Sequence, residues 1–162
     1  MGRGCYRFLK IVGVNVALSV VLIISPIKVI FEGWSMVKLM SFEETMERYE
    51  GGENAFDLAI EKWVRIKEAI KTAYSLQHFV LIVRGASIKI ALCVEFNDNC
   101  HLCPLEGICS REKEGLFSKV IRVMQAYCVA GDILPKSTLL DLVDQLISEL
   151  QQIKEDFMKL RH

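Results

Sequence analysis

Four of the six cysteines fall in one short stretch, LCVEFNDNCHLCPLEGICSREKEG, as Cys93, Cys100, Cys103 and Cys109. A thiolate is a nucleophile, a soft metal ligand or half of a disulfide, so this is where chemistry is to be sought. The spacing is Cys-x6-Cys-x2-Cys-x5-Cys. Disulfides require an oxidising compartment, which follows only if the apolar front of the chain is an export signal or anchor. Unrelated buried thiols do not account for clustering in a segment whose NDN and PLEG are turn formers. Metal ligation accounts for both the clustering and the turns. Zinc sites usually pair cysteines in close knuckles, and only Cys100 and Cys103 form one. Cys93 and Cys109 stand further off, and wider arms suit an iron–sulfur cubane whose corners each take a sulfur. All four are candidate ligands, and the spacing alone leaves the metal open.

The remaining candidates have simpler readings. His101 sits between two of the thiols, but four thiolates already complete a site, so it reads as a solvent-facing turn residue. Cys128 lies in an apolar helical run and reads as a small core side chain. Cys5 lies in the apolar front. His78 reads as a helix-terminus or surface residue, and Trp63 as a core anchor. Glu43, Glu44 and Glu47 are helix-start charges favoured by the macrodipole. No Gly-x-Gly-x-x-Gly, P-loop, Gly-x-Ser-x-Gly or His-Glu-x-x-His occurs, so no catalytic residue is assigned.

The elements that must position the cysteines read as helices. Ser41 caps a first helix, with Glu44 reaching back to complete a capping box, and Gly51 and Gly52 end it. Asn54 caps a second, whose apolar face is Phe56, Ala59, Ile60, Trp63, Ile66, Ile70, Ala73 and Tyr74. Its opposite face carries Glu61, Lys62, Arg65, Glu68 and Lys71. Leu76 to Cys93 contains a β-branched run, but no partner strand is evident; it reads as two short helices broken at Gly85. Residues 116 to 130 are helical, ended by Gly131. Pro135 opens a last helix capped by Ser137 or Thr138. In that helix Leu139, Val143, Leu146, Leu150, Ile153, Phe157 and Leu160 keep heptad spacing. Leu140, Leu142 and Ile147 widen the stripe, which favours packing on the chain's own domain over a dimer or partner seam. The expected fold class is all-α, a small domain of about six helices with a four-cysteine metal-binding loop.

The chain has 162 residues, 20 basic and 20 acidic, and 52% apolar side chains. Balanced charge gives no footprint for a polyanion partner. The apolar excess is at the front: Ile11 to Ile27 carries no charge, with Arg3, Arg7 and Lys10 before it and Lys28 after. It is short for a membrane anchor, and no small-x-small cleavage site follows it. The favoured reading is that residues 1–35 are an over-extended gene start, with Met36 or Met40 the true beginning. The alternative is a membrane anchor over residues 11–27. The domain then spans 36–162, is mildly acidic, and is expected in the cytoplasm.

Two resemblances enter on these residues. CVEFNDNCHLCPLEGIC resembles the iron–sulfur loop of endonuclease III-type DNA glycosylases in cysteine order, in all three spacings and in a Pro after the third cysteine. That resemblance implies a [4Fe–4S] cluster on Cys93, Cys100, Cys103 and Cys109. It covers the loop alone; the Leu-Pro-Gly-Val-Gly hairpin and the active-site lysine and aspartate are missing, so the enzyme's activity is not carried over. More widely, LAIEKWVRI followed by ALCVEFNDNCHLCPLEGIC and a closing amphipathic helix resembles a group of small uncharacterised microbial and phage proteins with an EKW…CALC…CxxCP…C pattern. Here Ile90 stands where the first cysteine of CALC would be. This likeness implies a helical metal-binding domain and no activity.

Weighed together, these put a [4Fe–4S] cluster ahead of one Zn2+. The leading function is a metal-stabilised helical module that binds a protein partner, or itself as a homodimer, through the C-terminal helix at Leu139, Val143, Leu146, Leu150, Ile153 and Phe157. The first alternative is a redox, electron-transfer or oxidant-sensing protein. The second is an accessory factor in nucleic-acid metabolism, opposed by the loop's own charges, Glu95, Asp98 and Glu106 with no Lys or Arg.

Overall fold

The computed structural model describes residues 38–109, 115–130 and 135–160. The expected gene start, the apolar segment 11–27, Cys5 and the stop at Gly131 lie outside them. All described residues belong to one compact unit, Met36–His162. They form seven helices and no strand: α1 Phe42–Glu50, α2 Ala55–Thr72, α3 Leu76–Ala86, α4 Ala91–Glu95, α5 Glu106–Cys109, α6 Leu116–Ala130 and α7 Lys136–Leu160. The all-α expectation holds.

Local signals set most helix starts. Ser41 Oγ accepts the Glu44 N–H at 3.1 Å, and Asn54 Oδ1 accepts the Phe56 N–H at 2.9 Å. The capping box is not reciprocal through Glu44. That carboxylate is drawn instead to Arg65 of α2 at 2.6 Å and Lys38 at 3.2 Å. Arg48 pairs with Glu53 and Glu61, and Arg65 with Glu61, so a chain of charges fastens α1 to α2.

Helix α2 is the central element and packs on α7, α3 and α4. Its pairing with α7 is antiparallel: Asp57 meets Lys154 and Lys67 meets Asp144, both at 2.5 Å. Leu146 and Leu150 between those ion pairs, and Leu139 and Val143 just before them, are fully buried. The heptad seam is therefore engaged inside the chain, as its extra apolar residues favoured. Ser137 and Thr138 lie within the first turn of α7 and do not cap it; the chain enters from Pro135, whose carbonyl accepts the Tyr127 hydroxyl at 2.6 Å.

Two expectations are corrected. Gly85 does not break α3, which continues to Ala86. A Cβ at Gly85 would stand 3.0 Å from Leu39 Cδ1, so the glycine serves close packing of the preceding chain on α3. The break falls later, between Ser87 and Ile90. Lys62 does not lie on a solvated face. It is 2% exposed, because α2 is covered on two sides. By length and mean hydropathy (1.5), Leu76–Glu95 would suffice to cross a membrane. Here it is divided into α3 and α4, and Phe79, Ile82, Ala86, Ala91 and Leu92 are buried in the helical core.

Candidate functional site

The cysteine segment is less a loop than a pair of one-turn helices joined by turns. Cys93 lies in α4 and Cys109 is the last residue of α5; Cys100 and Cys103 occupy the turns between. Helix α4 stops in a Schellman arrangement. The Asp98 N–H donates to the Cys93 carbonyl at 2.7 Å, and the Asn97 N–H to the Val94 carbonyl at 2.9 Å. Asn97 and Asp98 both have left-handed φ, 50° and 57°, where Asn and Asp are tolerated better than most residues. This is what the sequence NDN does: it reverses the chain directly after the first cysteine.

A run of tight turns follows. The Leu102 N–H donates to Asn99, that of Cys103 to Cys100 and that of Glu106 to Cys103. Leu105 (1% exposed) and Ile108 (8%) then anchor α5 on α6. The segment is thus held at both ends by packing: Ala91 and Leu92 on one side, Leu105 and Ile108 on the other.

Cys93, Cys103 and Cys109 are half-buried and carry free thiols. They lie near enough to feel one another's charge. Burial, then the charges of Cys103 and Cys93, pushes the Cys109 thiol up to about 12. Burial chiefly, with Cys93 and Glu95 adding to it, raises Cys103. Proximity stops short of coordination: among the described residues no three His, Cys, Asp or Glu side chains stand in an arrangement that would hold a metal ion. The residue types suit a soft metal, but Cys100 is disulfide-bonded here, so it must be reduced and the sulfurs must close in before the four could bind one.

The acidic residues of the segment are partly neutralised from outside it. Lys89 pairs with Asp98 at 2.7 Å. His101 projects into solvent, with Nδ1 3.1 Å from Glu106 Oε1. Cys128 is half-buried in α6, its sulfur 3.5 Å from the Met124 carbonyl, as a helical side chain of no special role would be. Trp63 is a core residue, edge-on to Phe117 at 5.8 Å.

One residue at the site escaped the sequence reading. Lys62 donates to the carbonyls of Ala86 (3.2 Å) and Ile88, at the junction between α3 and α4. Burial pushes its ammonium down to about 8, and Cys93 acts in the opposite direction. The signal was present: Leu58 and Ile66 lie four residues either side of Lys62, which places it on an apolar stripe of α2.

Compared with protein-family models, curated proteins and solved structures, the chain finds no match.

Proposed function

We propose that this chain is a metal-stabilised helical module that binds another protein or a second copy of itself, with Cys93, Cys100, Cys103 and Cys109 as the ligands. A [4Fe–4S] cluster is the favoured occupant, and one Zn2+ is the alternative. The observation that carries this reading is the approach of Cys93, Cys103 and Cys109 to one another from α4, a turn and α5. Short helices are marginal alone, and α4 and α5 are five and four residues long. A metal that draws their sulfurs together would add folding free energy where packing is thinnest.

The partner contact is proposed at the C-terminal end of α7. Leu139, Val143, Leu146 and Leu150 are engaged within the chain. Beyond them Ile153 and Phe157 are half-buried, and Met158 and Leu160 are exposed. The free thiols of Cys93, Cys103 and Cys109 suit the cytoplasm, and the disulfide at Cys100 argues the other way. Nucleic acid remains the disfavoured partner, as the segment carries Glu95, Asp98 and Glu106.

A redox role is the second reading, favoured by one observation: Leu102, between two of the proposed ligands, is 68% exposed, so a cluster there would sit close to the surface. The deciding experiment is anaerobic purification of the full chain, with a visible spectrum and quantified iron, sulfide and zinc. Brown protein with iron and sulfide supports the cluster, and reversible bleaching by dithionite then favours the redox role. Colourless protein with one zinc per chain ends the redox reading. Protein with neither metal sinks the proposal.

A further inference from the structure

Two helices, α3 and α6, contain no aspartate or glutamate, whereas α1, α2 and α7 each carry several. Their charged residues are cations: Arg84 on α3, and Lys119 and Arg122 on α6, all three exposed. The two helices are neighbours, with Phe79 stacked on Tyr127 at 5.0 Å. The chain as a whole has 20 basic and 20 acidic side chains, so charge is segregated here rather than in excess.

The same outer sides are apolar. Leu76, Val80 and Leu81 of α3 are 47%, 51% and 44% exposed, and Val129 of α6 is 86% exposed. Leu76, Val80 and Arg84 recur every four residues, and Lys119, Arg122, Ala126 and Val129 every three or four. On each helix the cations therefore share one side with the exposed apolar residues. Core packing does not account for that side, because Phe79, Ile82 and Ala86 already bury the inner side of α3. Exposed apolar residues are ordinary singly, but a group of them rimmed by charges of one sign marks a docking surface.

Charge complementarity chooses the occupant. Cations without carboxylates beside exposed Leu and Val are what seats a helix at the boundary of an anionic bilayer. The outer sides of two helices are convex, and a deformable bilayer needs no matching groove. The position of α3 agrees: a Cβ at Gly85 would stand 3.0 Å from Leu39 Cδ1, so the described chain begins beside this helix. The uncharged run Ile11–Ile27 precedes Leu39 in sequence, and an anchor there would tether the domain close to α3.

We propose that the outer side of α3 and α6 docks this protein on an anionic lipid bilayer. Leu76, Val80, Leu81 and Val129 enter the headgroup boundary, and Arg84, Lys119 and Arg122 face the lipid phosphates. The docking is peripheral, because Phe79, Ile82 and Ala86 keep α3 in the helical core. It depends neither on the cysteine segment nor on an anchor at Ile11–Ile27.

The test floats the full chain with phosphatidylcholine vesicles and with vesicles containing about a third phosphatidylserine. Wild type is expected to bind the phosphatidylserine vesicles more tightly and to lose that advantage as salt rises. The double variant Val80→Glu with Leu81→Glu is expected to bind them at least about tenfold more weakly. Arg84→Gln and Lys119→Gln are each expected to lose about fivefold, the usual share of one surface cation. These positions are exposed, so helicity and Tm should stay at wild-type values. If the double glutamate variant does not fold, Val80→Ser with Leu81→Ser takes its place. Leu160→Glu, on the exposed end of α7, should float as wild type does. Equal flotation of wild type and the Val80 and Leu81 double variant overturns the proposal, since Ile11–Ile27 then accounts for the binding. Binding indifferent to phosphatidylserine also overturns it, because the cations then contribute nothing. A wild-type chain that floats with neither vesicle overturns it too, and leaves the face to an acidic protein.

Discussion

Phe157, near the end of α7, meets Phe96 at the end of α4 with their rings 6.4 Å apart and steeply inclined at 72°. The same ring lies 5.5 Å from Phe56 in the first turn of α2. One side chain thus joins the last helix, the central helix and the start of the cysteine segment. Aromatic pairs at these distances add to what area burial alone supplies. Phe157→Ala should destabilise the chain by about 2 kcal/mol, less than for a fully buried ring because Phe157 is half-buried. Denaturant unfolding measures this. A change within experimental error would mean that α7 frays before it reaches Phe96.

Leu146 tests where the heptad seam is spent. It is 1% exposed, in the antiparallel contact with α2. Leu146→Ala should cost about 2–5 kcal/mol, as for other buried leucines, and leave the association state alone. Leu160→Glu, at an 86% exposed position, should leave stability alone and weaken any self-association. Sedimentation of both variants checks the pair. The reverse pattern would return the seam to an intermolecular role.

Helix identity was legible because it is local. The caps at Ser41 and Asn54 and the apolar periodicities of α2, α6 and α7 are written in neighbouring residues. What was not legible depends on what lies across the gap. The β-branched run Phe79–Val83 is helical because Phe79 stacks on Tyr127 of α6, a partner far along the chain. Gly85 looked like a breaker, and only the approach of Leu39 shows that it is a contact. Lys62 looked solvated because α2 was assigned one apolar face; with a second layer on α4 its other side is interior as well. For the cysteines, spacing identified the cluster, but it did not reveal that Cys93 and Cys109 are helical or that Leu105 and Ile108 anchor the return.

Acid should loosen the α1–α2 junction. Hydrogen bonds from Arg48 first, and from Arg65, hold the Glu61 carboxyl down to about 2, against an ordinary value of 4.5. A carboxyl depressed in the folded state stabilises the fold above its unfolded pKa, and that stabilisation disappears as pH falls from about 4.5 to about 2. Glu61 is about a third exposed, so solvent screening keeps the effect small, about 1 kcal/mol or less. Glu61→Gln should therefore melt slightly below wild type at pH 6 and match it at pH 2. Parallel Tm curves at all pH values would remove Glu61 from the junction.

Gly85 offers a double-mutant test of close packing. Alanine favours a helix interior over glycine by about 1 kcal/mol. Here the gain meets the Leu39 side chain at 3.0 Å, and only the far end of that side chain must yield. Gly85→Ala should be near neutral in wild type. In a Leu39→Ala background it should stabilise by about 1 kcal/mol, and the difference is the coupling energy. Full stabilisation in both backgrounds would show that Leu39 moves aside freely.

Cys103 is where the proposed metal and the fold meet. It sits in the turn between α4 and α5, the two helices too short to persist alone. If a metal holds that turn, Cys103→Ser should lose the metal and lower Tm by more than about 10 °C, since ligation energy is folding energy. Cys128→Ser supplies the control. Its thiol is in α6 and bonds to the Met124 carbonyl of the same helix, and the change should cost about 1 kcal/mol at most. Circular dichroism with and without chelator reads both variants. Chelator should bring wild type down to the Cys103→Ser curve and leave that variant unmoved. A Cys103→Ser chain that keeps wild-type helicity and Tm, with a wild type indifferent to chelator, would show that packing of Leu92, Leu105 and Ile108 suffices to hold the segment without a metal.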